Sequence, residues 1–499
     1  MLASVRSAVL EGVDGGIVTV EVHVSRGLPG YTVVGLPDAA GRESRERVRA
    51  ALLSSGLEYP QQRVTVNLAP ASVRKTGAGL ELAVALALTC AAGGLPSGAL
   101  DRVGVLGELG LDGGVRPVVG TLALVDALVR AGVEHVIVPA ANASEAALVP
   151  GALIRVARTL GELHLCLKGE APWPDPPDPP PMQALLPEGD EPLDLADVRG
   201  LTQARHALAI AAAGSHHLLM VGPPGVGKTM LARRLPTILT PLDRDEALEV
   251  TKIHSAAGTH RGPALRIDPP FRQPHHSASM VSLVGGGSSR VRPGEVSLAH
   301  RGALFLDELP EFPVHALESL RQPLEERVVR VSRASGTIEF PADFLLVGCA
   351  NPCPCGRKVT ECKCGDVQRM RYSRRLSAPL LDRFDLRIKV QPDDGTDPGE
   401  SSAVVAERVA AAVARQRVRL RGTNWRRNAH IPAGALERYT LLSDEAREAW
   451  LGTCAVRQLT GRGAARIRRV ARTIADLDDR IEIEALDIDR AAWMREDLW

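Results

Sequence analysis

The chain has 499 residues, of which 45% are hydrophobic and 24% are charged, and its formal net charge is +1. This length exceeds what a single hydrophobic core accommodates, so about three globular domains are expected. The near-zero charge excludes a general polyanion binder, and the sequence shows neither a signal peptide nor an uncharged apolar run of the ~20 residues that a membrane span needs. A cytoplasmic protein without membrane contact is therefore expected.

The first 168 residues alternate between strand-like and helix-like segments. Stretches such as "GIVTVEVHV" and "RVTVNLA" are rich in β-branched residues, whereas "ESRERVRAALLSSG" and "LELAVALALTCAAG" have a helical pattern. This predicts an α+β or α/β domain over residues 1–168. A proline-rich segment follows at residues 169–192, and proline at this density favours an extended, semi-rigid linker.

Residues 193–393 show the alternation of strands and helices that is typical of an α/β nucleotide-binding domain. The apolar strand "HLLMVG" leads into the motif G-x-x-x-x-G-K-T, which opens a predicted helix. This context predicts a phosphate-binding loop, whose backbone N–H groups surround phosphate oxygens, and ATP is the expected ligand. The loop residues are Gly222, Pro223, Pro224, Gly225, Val226, Gly227, Lys228 and Thr229.

Each polar group that ATP hydrolysis requires has a candidate in this domain. Lys228 is expected to bind the β- and γ-phosphates, and Thr229 and Asp307 to bind Mg²⁺. Asp307 and Glu308 end the apolar strand "ALFLDE", and Glu308 is the expected base for the attacking water. Asn351 ends the strand "LLVGCAN", where its amide can polarise the same water.

Residues 394–499 are predicted to form a bundle of helices. Arg383, in "SAPLLDRFDL", and Arg462, at the start of a helical segment, can each stabilise a transferring phosphate through a bidentate guanidinium. A structural ion pair is the alternative for both arginines. The basic stretch "RQRVRLRGTNWRRN" (residues 415–428) is either a nucleic-acid contact or a solvated helix face.

Four of the eight cysteines follow Asn351 directly, in the order C-x-C, six residues, C-x-C. Four thiolates in a cytoplasmic protein suit a closed, structural Zn²⁺ site, with an iron–sulfur cluster or unligated thiols as alternatives. The adjacent His275 and His276 are less suited to a metal, because neighbours on one element face different ways, and packing or loop positioning is expected. The four cysteines are Cys353, Cys355, Cys362 and Cys364.

With these residues placed, the chain resembles an AAA+ ATPase, and more narrowly the magnesium-chelatase-like YifB/ComM family. The resemblance is carried by "FRQPHHSASMVSLVGGG", "RPGEVSLAHRGALFLDELPEF", "SAPLLDRFDL" and "RVARTIADL", and covers nearly the whole chain. It implies a central AAA+ domain (193–393), a C-terminal helical lid (394–499) and a homo-hexameric ring with ATP between subunits. The implied roles are Walker A at residues 222–229, Walker B at Asp307 and Glu308, sensor 1 at Asn351, arginine finger at Arg383 and sensor 2 at Arg462.

The resemblance also implies a substrate, because the ComM proteins of this family are DNA helicases that drive branch migration during natural transformation. Two segments are placed to contact DNA: a glycine-rich loop (283–296) with Arg290 and Arg292, and a predicted hairpin (326–344) with Arg333 near its turn. Ordinary solvated loop charge is the competing interpretation. A magnesium-chelatase-type motor and an ATP-gated scaffold without translocation are the alternative functions. The first domain and the cysteines argue against the chelatase, and no porphyrin partner is expected.

The first domain resembles the Lon protease fold, which uses a Ser–Lys dyad. In the matching segments "RKTGAGLELAVALALT" and "GELGLDGGVRPVVGTLAL", the serine position falls on Ala78 and the lysine position on Leu122. Alanine offers no nucleophile and leucine no base, so no peptidase activity is expected. An interaction or gating module is predicted instead.

Overall fold

The fold is taken from a computed structural model of the chain. Among its described residues, no helix combines the length and the apolar character needed to cross a membrane. Ala78, Arg290 and the side chain of Arg333 lie outside the described part. The described residues are 1–35, 39–71, 75, 79–151, 153–175, 182–183, 193–260, 264–287, 291–333, 336–357, 362–391, 399–495 and 498.

The N-terminal part of the chain builds a mixed sheet covered by helices. Its elements are β1 (Leu2–Glu11), β2 (Asp14–Ser25), β3 (Gly30–Val34), α1 (Ala39–Ser54), β4 (Arg63–Ala69), α2 (Glu81–Ala91), β5 (Val103–Val105), β6 (Glu108–Leu109), β7 (Val115–Arg116), α3 (Thr121–Arg130), β8 (His135–Pro139), α4 (Ala143–Ala146), β9 (Leu153–Ala157) and α5 (Leu160–Lys168). Seven strands pair in the order β3-β4-β2-β1-β5-β8-β9. Helix α2 is buried along nearly its whole length, which explains its uninterrupted apolar sequence.

The central part contains a fully parallel sheet. Its elements are β10 (Met182–Gln183), α6 (Thr202–Gly214), β11 (Leu218–Val221), α7 (Lys228–Ala232), α8 (Arg244–Ala257), β12 (Leu265–Arg266), β13 (Phe271–Arg272), α9 (Met280–Val284), β14 (Gly285–Gly286), β15 (Arg292–Pro293), α10 (Glu295–Leu298), β16 (Ala303–Leu306), α11 (Val314–Glu318), α12 (Arg321–Glu326), β17 (Val328–Arg333), β18 (Gly336–Pro341), β19 (Leu345–Ala350), α13 (Asp366–Ser373), α14 (Ala378–Leu381) and β20 (Leu386–Lys389). The sheet order is β13-β16-β19-β11-β20, with every neighbouring pair parallel. Strands β11, β16 and β19 are buried on both faces, as parallel strands usually are. The expected mixed α/β fold is confirmed, and its central sheet is parallel.

Two short antiparallel ribbons accompany this sheet. β17 pairs with β18 from Val328 opposite Pro341 to Arg333 opposite Gly336, so the predicted hairpin is confirmed. β14 pairs with β15 in the glycine-rich segment. Val329 and Phe340 are buried, so the base of the hairpin belongs to the core, whereas Ser332 near its turn is exposed.

The C-terminal part is helical, as predicted. Its helices are α15 (Ser402–Arg419), α16 (Leu436–Tyr439), α17 (Asp444–Val456), α18 (Gly461–Leu477) and α19 (Ala485–Trp493). Helices α15, α17, α18 and α19 share one hydrophobic core with α6 and the parallel sheet, whereas Leu436 of α16 belongs to a smaller cluster. The buried face of α18 includes arginines as well as apolar residues, and ion pairs such as Arg472 with Asp476 at 3.1 Å compensate their desolvation.

The N-terminal sheet packs directly on the central part. Lys252 of α8 forms ion pairs with Asp14 at 2.6 Å and Asp126 at 3.0 Å. The turn between β1 and β2 meets the hairpin, since a Cβ atom at Gly12 would lie 2.6 Å from Ile338 Cγ2. Gly12 has φ 69°, so both its conformation and its surroundings favour glycine.

Candidate ATP site

The phosphate loop connects β11 to α7 at the carboxyl edge of the parallel sheet. A Cβ atom at Gly222 would lie 2.3 Å from the carbonyl oxygen of Val390, so no larger residue fits there. Gly225 and Gly227 have φ angles of 77° and 100°, in the left-handed region that favours glycine. The loop therefore has the tight backbone that close approach to a phosphate requires.

The side chain of Lys228 extends back over the phosphate loop. Its Nζ atom donates to the carbonyl oxygens of Gly222 at 2.7 Å and Pro223 at 2.9 Å, and to Asn351 Oδ1 at 3.2 Å. The residue is only 8% exposed, and burial lowers the pKa of its ammonium group. All three acceptors are neutral, so negatively charged phosphate oxygens would bind the ammonium group more strongly.

Thr229 and Asp307 form the candidate magnesium pair. Thr229 Oγ1 donates to Asp307 Oδ2 at 2.9 Å, and Asp307 follows the buried strand β16. Hydroxyl and carboxylate oxygens are hard ligands of the kind that Mg²⁺ takes together with water and phosphate. These two residues therefore fit a Mg²⁺ ion that arrives with a nucleotide.

Glu308 is the candidate base, and it has an unusual backbone. Its φ is 49°, a left-handed conformation that is costly for a non-glycine residue and recurs at functional sites. Its carboxylate is 54% exposed, so water reaches it, and Oε2 lies 3.5 Å from His276 Nδ1. The rings of His275 and His276 lie 4.0 Å apart. The structure thus places His276 beside the candidate base, a contact that the sequence did not predict.

Strand order explains why these side chains meet. β19 lies between β16 and β11, so the carboxyl ends of these three strands are neighbours. Asp307, Asn351 and the phosphate loop each follow one of them. Because parallel strands end at the same edge, the topology brings Lys228 to Asn351 and Thr229 to Asp307. The roles assigned to these residues stay predictions.

The two candidate arginines lie together at the opposite edge of the parallel sheet from the phosphate loop, in a cavity of about 420 Å³ that is also lined by His217 and Phe344, the residues that directly precede β11 and β19. Arg383 Nη2 donates to one oxygen of Glu325, and Arg462 Nη2 lies 3.8 Å from the other. The side chain of Arg383 is 12% exposed and that of Arg462 is 69% exposed. Within the described part of the chain, no hydrogen bond or ion pair joins either arginine to Lys228 or Thr229.

A cavity of about 490 Å³ close to the phosphate loop was not predicted. Leu201 links it to the loop, because Leu201 Cδ1 would lie 3.2 Å from a Cβ atom at Gly227. The lining combines apolar and polar groups, as nucleoside-binding cavities do. The segment "DVRGLTQARH", which precedes the phosphate loop, has no residue pattern typical of base binding, so the sequence does not predict this cavity. Lining residues include Leu195, Gly200, Thr202, His206, Val405 and Leu477.

Three family models and several known proteins match this chain over most of its length. "Subunit ChlI of Mg-chelatase" matches residues 20–142, "Magnesium chelatase, subunit ChlI" residues 194–397, and its C-terminal counterpart residues 399–495. An uncharacterized protein of Mycobacterium tuberculosis is 46% identical over 484 residues, 95% of this chain and 94% of its own. YifB of Escherichia coli is 40% identical over 485 residues (96% and 94%), and competence protein ComM of Haemophilus influenzae is 40% identical over 491 residues (97% and 95%). The chain belongs to the YifB/ComM family.

Membership in the YifB/ComM family supports an AAA+-type ATPase motor. The likeness to Lon protease is partial: Lon protease 2 of Bacillus subtilis is 28% identical over 193 residues, 34% of each chain. Leu122, at the expected lysine position, is buried in α3, and its backbone N–H donates to Glu145 Oε1 at 3.0 Å. Ala78, at the expected serine position, lies outside the described residues.

The cysteine quartet of this YifB/ComM protein is a compact cluster. Cys353 Sγ lies 3.3 Å from the sulfurs of Cys355 and Cys362, which are 3.6 Å from each other. All four sulfurs, including that of Cys364, lie within 4.8 Å of one another. Four sulfurs at ~2.3 Å from one tetrahedral ion are about 3.8 Å apart. The quartet therefore fits a single tetrahedral metal ion.

The structure places the arginines that were predicted to contact DNA in different surroundings. Arg292 is exposed in β15, and Arg333 ends β17, so both stay predictions, while Arg290 lies outside the described residues. The basic stretch 415–428 is largely neutralised, which makes it a poor nucleic-acid surface. Its ion pairs are Arg415–Asp479, Arg417–Glu246, Arg419–Asp476 and Arg426–Glu246.

Proposed function

We propose that the protein is an ATP-hydrolysing motor that assembles as a homo-hexameric ring and drives DNA branch migration. The observation that carries the proposal is the separation of two half-sites. Lys228, Thr229 and Asp307 form the first at the carboxyl edge of the parallel sheet. Arg383 and Arg462 form the second, beside Glu325 in a cavity at the amino edge of the same sheet. A head-to-tail ring of identical chains joins one half-site to the other.

Each chain binds and activates ATP with its own first half-site. Lys228 exchanges its loop carbonyls for β- and γ-phosphate oxygens. Thr229 and Asp307 hold Mg²⁺, which supplies positive charge against the phosphates when bound. Glu308 accepts a proton from the attacking water, and Asn351 orients that water with its amide. The cavity next to the loop takes the adenine and ribose.

The second half-site acts on the ATP of a neighbouring chain. A guanidinium binds phosphate oxygens with the same fork geometry that it uses for a carboxylate. Glu325, which faces both Arg383 and Arg462, therefore marks where these arginines hold an anionic group. In the ring, the developing charge of the transferred phosphoryl group takes that place.

The DNA part of the proposal is supported by the family and by the two ribbons. The relative named competence protein ComM covers nearly the whole chain, and its name supports a role in the handling of incoming DNA. Arg292 is exposed on one ribbon and Arg333 lies at the end of a strand in the other. Arginines on such loops grip the phosphate backbone without reading its sequence.

The first experiment is the steady-state ATPase rate with and without a three-way-junction DNA. We expect the junction to raise the rate several-fold, and labelled junctions to be resolved only when ATP is present. Mass photometry with a slowly hydrolysed ATP analogue should show a six-chain species. An unchanged rate and unresolved junctions would contradict a DNA motor and favour a scaffold, and porphyrin stimulation would favour a chelatase.

Replacing both Arg292 and Arg333 by Ala should weaken DNA binding similarly for all sequences, because phosphate contacts carry no base information. The slope of log affinity against log salt should become shallower by about 0.7–0.9 for each lost phosphate contact. Arg102→Ala with Arg130→Ala is the matched control, since both side chains are 71% exposed on the N-terminal domain. Equal slopes for the two double variants would show that the two ribbons do not contact DNA.

The cysteine quartet holds a structural zinc ion in this proposal, because a closed four-thiolate site leaves no open coordination position. Purified protein should contain about one zinc per chain. Cys362→Ser should lower the zinc content and the melting temperature together, whereas Cys454→Ser, outside the quartet, should change neither. Full thermal stability in a zinc-free Cys362→Ser protein would contradict a structural zinc site.

A further inference from the structure

One buried guanidinium holds both carboxylates that flank Arg383. Arg466 of α18 donates through Nη1 to Asp382 Oδ1 at 2.7 Å, and its Nε lies 3.1 Å from Asp385 Oδ1. Arg466 is 9% exposed and Asp385 is 8% exposed, so this arm of the bridge is largely shielded from water and salt, whereas the Asp382 side chain is 36% exposed. The backbone on either side of Arg383 is thereby tied to α18.

A second connection joins the same segment to α18 two helical turns further along. His216 lies between Asp385 Oδ2 at 3.2 Å and Thr473 Oγ1 at 2.8 Å. This hydroxyl–imidazole–carboxylate order resembles a nucleophilic triad, but Thr473 and His216 are both 0% exposed. No substrate reaches them, so the arrangement fastens α18 to the segment. Arg495 adds bonds to Asp382 Oδ1 at 3.1 Å and to the carbonyl oxygen of Phe384 at 2.9 Å.

Helix α18 also carries the other arginine of the second half-site. Arg462 lies one turn before Arg466, and residues at this spacing share one face of a helix. Arg462 and Arg383 converge on Glu325 from α18 and from the Asp382–Asp385 segment, respectively. Arg466 is thus the direct link between the two elements that present these arginines.

We infer that Arg466 is a positioning residue, which fixes the direction of Arg383 through Asp382 and Asp385 so that Arg383 and Arg462 act together on one phosphate. The inference rests on the proposed function and adds a residue to the second half-site. Arg466 itself touches no nucleotide. Its fork reaches both carboxylates at once, and without it only His216 and Arg495 hold the segment, so the direction of Arg383 is less firmly fixed. Small displacements of a catalytic group cost large factors in rate.

The test is ATPase kinetics of Arg466→Gln, alone and in mixed rings. Alone, kcat should fall about 10- to 100-fold while KM for ATP changes less than about twofold, because the phosphate loop of each chain is intact. Mixing with Lys228→Ala chains, which bind no ATP but carry intact arginines, should restore turnover. The ATPase rate of the mixture should exceed the weighted sum of the separate rates. A mixture equal to that sum, or a loss expressed mainly in KM, would overturn the inference.

Two further variants separate the possible failures. Mixing Arg383→Ala with Lys228→Ala should also restore turnover. If it does not, the shared-site proposal fails. If Arg383→Ala is rescued in the mixture but Arg466→Gln is not, only this inference is overturned. Arg469→Gln is the matched control, because Arg469 lies on α18 and donates to the carbonyl oxygen of Ile431 at 2.6 Å instead of to Asp382 or Asp385. It should keep wild-type kcat. If Arg466→Gln does not fold, Asp382→Asn removes part of the same bridge and should give the same kinetic pattern.

Discussion

Lys228→Ala is expected to abolish detectable ATP binding and, with it, ATP hydrolysis. In the proposed site the ammonium group makes two charge-assisted bonds to phosphate, each worth about 1.5–3 kcal/mol. Their loss weakens ATP binding on the order of 10²- to 10⁴-fold. Isothermal titration calorimetry with ATP and Mg²⁺ measures this directly.

The folded protein should tolerate this change. Lys228 is buried against neutral acceptors, and burial disfavours its charge, so its removal relieves a desolvation cost. Lys252→Ala is the matched control, because Lys252 pairs with Asp14 and Asp126 away from the phosphate loop. Normal ATP affinity in Lys228→Ala would rule out this loop as the phosphate site.

Glu308→Gln is expected to stop hydrolysis while ATP stays bound. A positioned general base contributes about 10²- to 10⁴-fold to the rate, and glutamine keeps the shape of the side chain but accepts no proton. Among the described contacts, Glu308 has none with Lys228, so ATP affinity should change little. Rapid filtration with labelled ATP should recover intact ATP from the variant ring.

Glu311→Gln serves as the control for Glu308→Gln. Glu311 lies in the same short segment and pairs with Arg375 at 3.0 Å, so the substitution removes an equal charge from the same neighbourhood. Its ATPase rate should stay near wild type. Wild-type turnover in Glu308→Gln would instead assign the base to another residue, and His276, 3.5 Å from the Glu308 carboxylate, would be examined next.

The phosphate loop could be predicted because its chemistry is local. The motif has glycine where the backbone is tightly packed or left-handed, and Gly222, Gly225 and Gly227 meet that requirement. Lys228 follows at the fixed spacing of the motif. The alternation of strands and helices likewise predicted a mixed α/β fold. The hairpin at residues 328–341 was predictable from its alternating pattern and short turn.

Features that depend on distant parts of the chain could not be predicted. The arginines of residues 415–428 look like a basic patch until folding brings Glu246 and Asp476 beside them. Glu325 is one of many acids in the sequence, and only the folded chain places it between Arg383 and Arg462. The cavity near Leu201 has the same origin, because residues from α6, α15 and the end of α18 form it.

The contact between Gly12 and Ile338 has a mechanical consequence for the proposed motor. A hairpin that touches a second domain at van der Waals distance cannot swing freely, because the contact leaves no gap to close. The N-terminal sheet is also held at Lys252, which pairs with Asp14 and Asp126. In the proposed motor, this stiff sheet would limit how far β17 and β18 move, a task that needs no nucleophile.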